Sequence, residues 1–182
     1  MPMPRNIVER LYASWHKVLV VGDSNFVFSN GLAEVLKPEE GMMICSRPEN
    51  IGDKSIKSTN IITHLKNLKC LNVQVLAEVK PEKMHDDKRI RGDDKKCLRV
   101  FDRVIYYHPP SFQNAKEFVL SSTSMIHREY GEAHMVMKAK ADYSGWDMIQ
   151  VMKSQSDLVV DAITFKNFED FVLQFKLMEK EF

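Results

Sequence analysis

The stretch Val18–Val21, followed directly by Gly22, constrains the fold more than any other part of the sequence. A continuous run of apolar, mostly β-branched residues is typical of a strand that is buried on both faces, as in a parallel sheet. Residues 28–36 then show helical spacing, although Gly31 lowers the helix propensity there. A strand, a glycine turn and a helix in this order open a nucleotide-binding α/β fold, because the glycine lets the backbone approach a ligand closely.

The same alternation continues along the chain. Apolar runs predict further strands at 42–46, 72–79, 101–108, 132–140 and 157–165, and helical spacing predicts helices at 6–15, 58–69, 112–130 and 145–154. Residues 171–177 alternate apolar and polar side chains, which favours a strand paired with 157–165 in a hairpin; a helix over 168–180 is the competing interpretation. We therefore expect one α/β domain over residues 1–182, with a mostly parallel sheet, helices on both faces and a C-terminal antiparallel hairpin.

Composition excludes several classes of protein. The formal net charge of +1 argues against a grossly basic nucleic-acid binder but leaves room for a local basic patch. The three cysteines form no CxxC pair, so neither a disulfide framework nor a metal site is predicted. The N-terminus lacks the apolar core of a secretory signal, and no apolar run approaches the roughly 18 residues that cross a bilayer. These features predict an intracellular protein with no membrane partner.

Residues 80–99 interrupt the alternation, since they are dense in charges of both signs. They predict a charged surface loop. One interpretation is a solvated insertion without a role. The other is a loop that contacts RNA or a partner through Lys88, Arg89 and Arg91, whose side chains can meet phosphates.

Three blocks occur in the order of a known family. They read VLVVGDSNFVFSNGLA, FDRVIYYHPP and GEAHMVMKAKADYSGWDM, and they span about residues 16–165. They resemble the first-, fourth- and fifth-strand motifs of the Rossmann-like 25S ribosomal RNA (uridine-N3)-methyltransferases, which usually read GEGDFSFS, FDRIIFNFPH and GEIHVTHKT. The resemblance implies a class I methyltransferase fold, S-adenosylmethionine as cofactor, an RNA uridine as substrate, and a place in the cytoplasm, nucleus or nucleolus.

In an open doubly wound sheet the ligand crevice lies at the carboxyl ends of the strands. The resemblance places the methionine end of the cofactor against the turn after the first strand, where the following helix is expected to offer free N–H groups. The predicted cofactor-binding residues are Gly22, Asp23, Ser24, Asn25, Phe26, Ser46, Glu49, Tyr107 and Pro109.

Methyl transfer to a uracil nitrogen needs the base deprotonated or its negative charge stabilised. His108 is the candidate that takes the proton, and Lys138 is the candidate that stabilises the charge. Trp146 is a candidate for stacking on a base, with a core anchor as its alternative role, and His134 is a substrate candidate or a structural histidine on a buried strand. The predicted substrate residues are His134, Trp146, Lys88, Arg89 and Arg91.

The chain departs from the family pattern where the cofactor would bind. Ser24 stands in place of the second glycine, and Pro48 stands where a carboxylate is expected, so that only Glu49 can replace it. The acidic residue after the third strand is missing unless Glu78 serves with a register shift. Two hypotheses follow: a divergent active methyltransferase, or a catalytically degenerate homologue that binds RNA or a protein. If strand 171–177 forms an exposed edge, a homodimer through it is a further alternative.

Overall fold

The computed structural model describes residues 2–46, 59–92, 101–155 and 157–178. Within these residues, seven strands form one sheet. The strands are β1 Val18–Val21, β2 Met43–Ser46, β3 Gln74–Leu76, β4 Arg103–Tyr107, β5 Glu132–Met137, β6 Leu158–Phe165 and β7 Phe168–Leu177. The α-helices are α1 Arg5–Leu11, α2 Val27–Leu36, α3 Thr59–Cys70, α4 Lys88–Arg91, α5 Phe112–Ser122 and α6 Met148–Lys153, and a 3-10 helix covers Pro81–Asp86.

The strand order across the sheet is β3-β2-β1-β4-β5-β7-β6. Strands β1 to β5 run parallel, whereas β7 runs antiparallel to both β5 and β6. The chain starts at β1, moves outward to β3 and then returns to place β4 on the other side of β1. The connections that leave β1 and β4 therefore diverge, and this switch point opens a crevice at the carboxyl ends of the two strands.

Helices cover both faces of the sheet. Val18 and Val20 pack with α1, α2 and α3 on one face, and Leu19 and Val21 pack with the 3-10 helix, α4, α5 and α6 on the other. All four residues of β1 are buried, as the uninterrupted apolar run predicts for a central parallel strand. The prediction of a mostly parallel sheet with a C-terminal antiparallel hairpin is confirmed, and the alternative helix over 168–180 is wrong.

The hairpin lies in the sheet differently from the expectation. Strand β7 pairs with β5 on one side and with β6 on the other, so β6 is the outermost strand. An exposed edge at 171–177, the condition for the homodimer alternative, is therefore not present. Dimerisation through this strand does not occur in this fold, because the chain itself occupies both of its hydrogen-bonding edges.

Helix α5 is shorter than the predicted 112–130. It ends at Ser122, where Ser122 Oγ donates to the Val119 carbonyl at 3.1 Å and Thr123 Oγ1 donates to the Leu120 carbonyl at 2.9 Å. Consecutive hydroxyl side chains that bond backbone carbonyls compete with helix continuation. Likewise, α1 ends at Leu11 rather than at residue 15, which leaves Trp15 64% exposed.

The charged segment 80–99 is more ordered than a surface loop over its described part. Met84 in the 3-10 helix and Ile90 in α4 are fully buried against the core. Asp87 caps α4 by accepting a hydrogen bond from the backbone N–H of Arg89 at 3.0 Å. Two apolar anchors in a charged sequence therefore fold residues 81–91 onto the sheet, while residues 93–99 lie outside the described ranges.

Candidate active site

A glycine turn forms one wall of the crevice. Gly22 directly follows β1 and has a φ of +81°, a backbone conformation that L side chains rarely adopt. A Cβ atom at this position would lie 2.5 Å from Cε1 of Tyr106 on β4 and 3.1 Å from the carbonyl oxygen of Tyr107. Glycine is required here because the turn passes directly against β4.

The residues after Gly22 cap helix α2. Asp23 is fully buried, and its Oδ2 accepts a hydrogen bond from the Ser29 amide at 2.6 Å. Asn25 Oδ1 accepts one from the Val27 amide at 3.1 Å. The expectation of free N–H groups was therefore wrong for these two amides, because side chains of the turn already bond them.

The turn exposes only part of the predicted cofactor-binding set. Ser24 and Asn25 are exposed, whereas Phe26 is buried and adopts a left-handed φ of 62° at the N-cap of α2. Burial raises the pKa of Asp23, and its Oδ1 has no hydrogen-bond partner within the described part of the chain. Ser46 is buried at the end of β2. Glu49, the predicted ribose ligand, and Pro48 lie outside the described residues.

Three stacked rings connect this turn with the end of β4. Phe28 of α2 stacks on Tyr107 with ring centroids 4.7 Å apart and an interplanar angle of 17°. Tyr107 in turn stacks on His108 at 3.9 Å and 21°. Burial, with smaller contributions from the charges of Asp170 and Asp23, raises the pKa of Tyr107 to about 12. The Tyr107 phenol therefore stays protonated at neutral pH, and the imidazole is the group in this stack that is suited to proton transfer.

Both predicted catalytic residues line one cleft of about 460 Å³. The cleft lies between three segments: the end of β4 with His108, residues 138–140 after β5, and residues 167–170 at the start of β7. Lys138 is exposed, whereas Pro109, the residue after His108, is buried. The fold thus brings together His108 and Lys138, which are 30 positions apart in the chain.

Asp170 completes the cleft, and the sequence analysis missed it. His108 Nε2 lies 2.7 Å from Asp170 Oδ2, and the backbone N–H of Ala139 lies 3.4 Å from Asp170 Oδ1. Asp170 follows His108 by 62 residues and belongs to the strand that the topology inserts next to β5. Asp170 reaches the cleft because β7 pairs with β5, with Phe171 opposite Met137. A hairpin prediction for β6 and β7 does not include that pairing, so the sequence did not point to Asp170.

His134 lies away from the cleft, in the core. It has no exposed surface; its Nδ1 lies 2.9 Å from Tyr12 Oη, and its Nε2 lies 2.7 Å from Glu132 Oε2. Burial lowers the pKa of His134, so the neutral imidazole accepts from the phenol and donates to the carboxylate. A substrate cannot reach the ring of His134, so this residue is a structural histidine on a buried strand.

Trp146 belongs to an aromatic cluster rather than standing free. Its ring centroid lies 4.9 Å from that of Tyr143 and 6.1 Å from that of Phe112. Tyr143 also contacts Phe171 of β7 edge-on at 5.9 Å. Trp146 thus fastens the segment after β5 to α5, and its half-buried ring fits the core-anchor alternative better than base stacking.

The basic residues of α4 are partly used within the fold. Arg89 pairs with Asp87 at 2.7 Å, and its Nη1 donates to the Ala77 carbonyl at 2.6 Å. Arg91 pairs with Asp86 at 3.3 Å. Lys88 is exposed. The two arginines therefore fasten α4 to its surroundings. That Lys88, Arg89 and Arg91 meet RNA phosphates stays a prediction.

No group of three or more His, Cys, Asp or Glu side chains in the described ranges is arranged to hold a metal ion. None of the helices in these ranges combines the length and apolar character needed to cross a membrane.

Solved structures define the class of fold. A putative rRNA methylase from Clostridium thermocellum matches with a TM-score of 0.63 at 13% identity, covering 97% of this chain and 94% of that one. An O-methyltransferase from Bacillus cereus, solved in complex with SAH, matches with a TM-score of 0.62 at 10% identity, covering 94% and 78%. At such identities the likeness establishes the fold, which is the Rossmann-like methyltransferase fold that the sequence predicts.

The family follows from the sequence itself. A family model described as BMT5-like, "rRNA (uridine-N3-)-methyltransferase BTM5-like", matches residues 19–172. The chain belongs to this family. In Arabidopsis thaliana, "Heavy metal-associated isoprenylated plant protein 41" is 27% identical over 85% of this chain, and "Uncharacterized protein At4g26485" is 25% identical over 80%. The chain spans 32% of the first relative's length and 74% of the second's.

Proposed function

We propose that this protein is an S-adenosylmethionine-dependent methyltransferase that acts on N3 of a uridine in ribosomal RNA. The observation that carries the proposal is the shared cleft of His108 and Lys138, which adjoins the Gly22 turn through the Phe28–Tyr107–His108 stack. A proton acceptor and a cation beside the crevice of a methyltransferase fold are the two groups that methylation of a uracil nitrogen requires. Membership of the uridine-N3-methyltransferase family supports the choice of substrate.

The described part of the crevice fits the proposed cofactor. S-adenosylmethionine supplies an electrophilic methyl group when it is bound. Gly22 lets the turn pack tightly against β4. The exposed Ser24 and Asn25 that follow it offer polar atoms to the cofactor. Tyr107 at the end of β4 would provide an aromatic wall. Glu49 remains the proposed partner of the ribose hydroxyls.

The cleft residues would carry the acid–base chemistry. A uracil N3–H must lose its proton before or during attack, and the His108 imidazole is the acceptor at the end of β4. The negative charge that develops on the base would be stabilised by the Lys138 ammonium group from the end of β5. These roles need no proton transfer by Tyr107, whose raised pKa keeps its phenol neutral.

The mouth of the cleft would bind the RNA backbone. Lys138 and Lys140 line the cleft, and Lys166 is exposed in the turn between β6 and β7. The flexible ammonium groups of Lys138 and Lys140 can contact phosphates without fixing a base sequence. A ribosomal RNA substrate places the protein inside the cell, where such RNA is made and assembled.

A second candidate is a non-catalytic homologue that binds RNA or a protein. Side chains of Asn25 and Asp23 already bond the amides of Val27 and Ser29, and Ser24 adds a Cβ where the family has glycine. Isothermal titration with S-adenosylhomocysteine separates the two candidates. Micromolar affinity supports the methyltransferase. Absence of binding at millimolar ligand favours the non-catalytic homologue.

Replacing either cleft residue should slow catalysis without loss of the cofactor. We expect His108→Ala and Lys138→Ala each to lower the rate of methyl transfer about 100-fold, the lower part of the range for acid–base and charge-stabilising groups. The readout is transfer of a tritiated methyl group from S-adenosylmethionine to uridine-containing rRNA fragments. Lys66→Ala, which removes an exposed lysine of α3 far along the chain from the cleft, is the matched control. Unchanged turnover in both cleft variants would refute the assigned roles.

A further inference from the structure

Asp170 contacts both sides of the cleft with one carboxylate. We infer that Asp170 is a positioning residue: it holds His108 in the tautomer whose free lone pair is on Nδ1, and it holds the turn that carries Lys138. This inference deepens the proposed function, since it assigns the orientation of the proposed proton acceptor. Nothing in the family motifs quoted above includes this position, which lies in the C-terminal hairpin.

The backbone of His108 adopts a conformation that is rare for residues other than glycine. Its φ of 52° lies in the left-handed region, which costs a non-glycine residue about 1 kcal/mol or more. The His108 N–H donates to the Val136 carbonyl at 3.0 Å, and the ring stacks on Tyr107 at 3.9 Å. Strained residues persist where the surroundings over-determine them, and they cluster at functional sites. The imidazole is therefore directed by contacts on several sides.

The carboxylate decides which ring nitrogen carries the proton. An ionised Asp170 can only accept hydrogen bonds, so the 2.7 Å contact to His108 Nε2 requires a proton on that nitrogen. Nδ1 of the neutral ring then keeps its lone pair. Among the described residues no hydrogen bond or ion pair other than the one to Asp170 involves the ring of His108. The nitrogen that remains available is thus the one that can take a proton.

The second carboxylate oxygen of Asp170 contacts the backbone of the turn that carries Lys138. Asp170 Oδ1 lies 3.4 Å from the backbone N–H of Ala139, the residue between Lys138 and Lys140. The side chains of Asp170 and His108 are 17% and 26% exposed, so the pair is largely shielded from water. One carboxylate therefore contacts both the His108 imidazole and the backbone of the turn that carries Lys138.

The tautomer is measured without any turnover. The protein is labelled with ¹⁵N-histidine, the ring nitrogens of His108 are assigned by their loss in His108→Gln, and spectra are recorded at alkaline pH. We expect the Nε2–H form in the wild type and a mixture of both tautomers in Asp170→Ala. The control Asp161→Asn removes an exposed carboxylate from the same hairpin and should leave the spectrum unchanged. An Nδ1–H ring in the wild type, or an unaltered tautomer in Asp170→Ala, overturns the inference.

Kinetics then test whether the orientation matters. We expect Asp170→Asn to lower kcat about tenfold, less than the roughly 10²–10⁴-fold contribution of a complete acid–base group, with KM for RNA and the affinity for S-adenosylhomocysteine within about twofold of wild type. A shifted tautomer in Asp170→Ala with an unchanged kcat in both variants refutes the positioning role. Absence of turnover in the wild type refutes the proposed function, whereas the tautomer measurement still decides what Asp170 does to His108.

Discussion

Gly22→Ala should destabilise the protein by about 4 kcal/mol and abolish binding of S-adenosylhomocysteine. The left-handed backbone would cost about 1–3 kcal/mol with a Cβ atom, and the overlap with the Tyr106 ring at 2.5 Å would add a similar amount. For a chain of this size that corresponds to a fall in Tm of roughly 10 °C. Urea unfolding gives the free energy, and titration calorimetry gives the affinity.

Gly41→Ala separates the cost of the left-handed backbone from the cost of steric overlap. Gly41 has nearly the same φ, +82°, but a Cβ there would meet nothing within 4 Å. This variant should therefore lose about 1 kcal/mol, from the backbone alone, and should bind the ligand normally. Equal losses in the two glycine variants would show that the close approach between the turn and β4 does not contribute.

Glu132→Gln should destabilise the protein by about 3 kcal/mol at neutral pH. Burial raises the pKa of Glu132, but hydrogen bonds from His134 and Gln174 and the charge of Arg103 outweigh burial and lower the pKa to about 2. The side chains of Glu132 and Arg103 are each 12% exposed, so the neutral variant would leave a mostly buried guanidinium without its counter-charge. The shift of the Glu132 pKa from 4.5 to about 2 corresponds to about 3 kcal/mol of folding free energy.

The stabilisation by Glu132 should depend on pH. Because the folded pKa is depressed, the contribution of Glu132 is fully present above about pH 4.5 and is lost as the pH falls toward about 2. Wild type and Glu132→Gln should thus differ most at pH 7 and converge toward pH 2 in urea unfolding. Glu129→Gln, at an exposed position in the same turn region, should follow the wild type throughout. A constant gap between wild type and Glu132→Gln across this range would contradict the electrostatic account.

The local elements were largely predictable because their signals are local. The uninterrupted run Val18–Val21 predicts a strand covered on both faces, and the alternation in 171–177 predicts the hairpin strand. The extent of α5 was not predictable from apolar spacing, since it depends on which carbonyls the hydroxyls of Ser122 and Thr123 reach. The helices within residues 81–91 were not predicted either, because the composition there is mostly charged. The burial of two side chains, Met84 and Ile90, folds this segment onto the core.

The candidate site was predictable only in part. His108 and Lys138 stand at the ends of predicted parallel strands, and parallel strands end at the same side of a sheet, so their proximity follows from sequence and topology rules. The roles of Arg89 and His134 did not follow, because an ion pair or a buried hydrogen bond depends on partners from other elements.

By itself, the sequence determined the fold class, the family, the glycine turn and the two groups at the strand ends, because apolar periodicity and short motifs are local properties. The tertiary structure alone decided that β7 lies between β5 and β6, that Asp170 meets His108, and that His134 is buried with Tyr12 and Glu132. Such contacts join residues that are far apart in the chain, and only the packing of the whole sheet specifies which side chains meet.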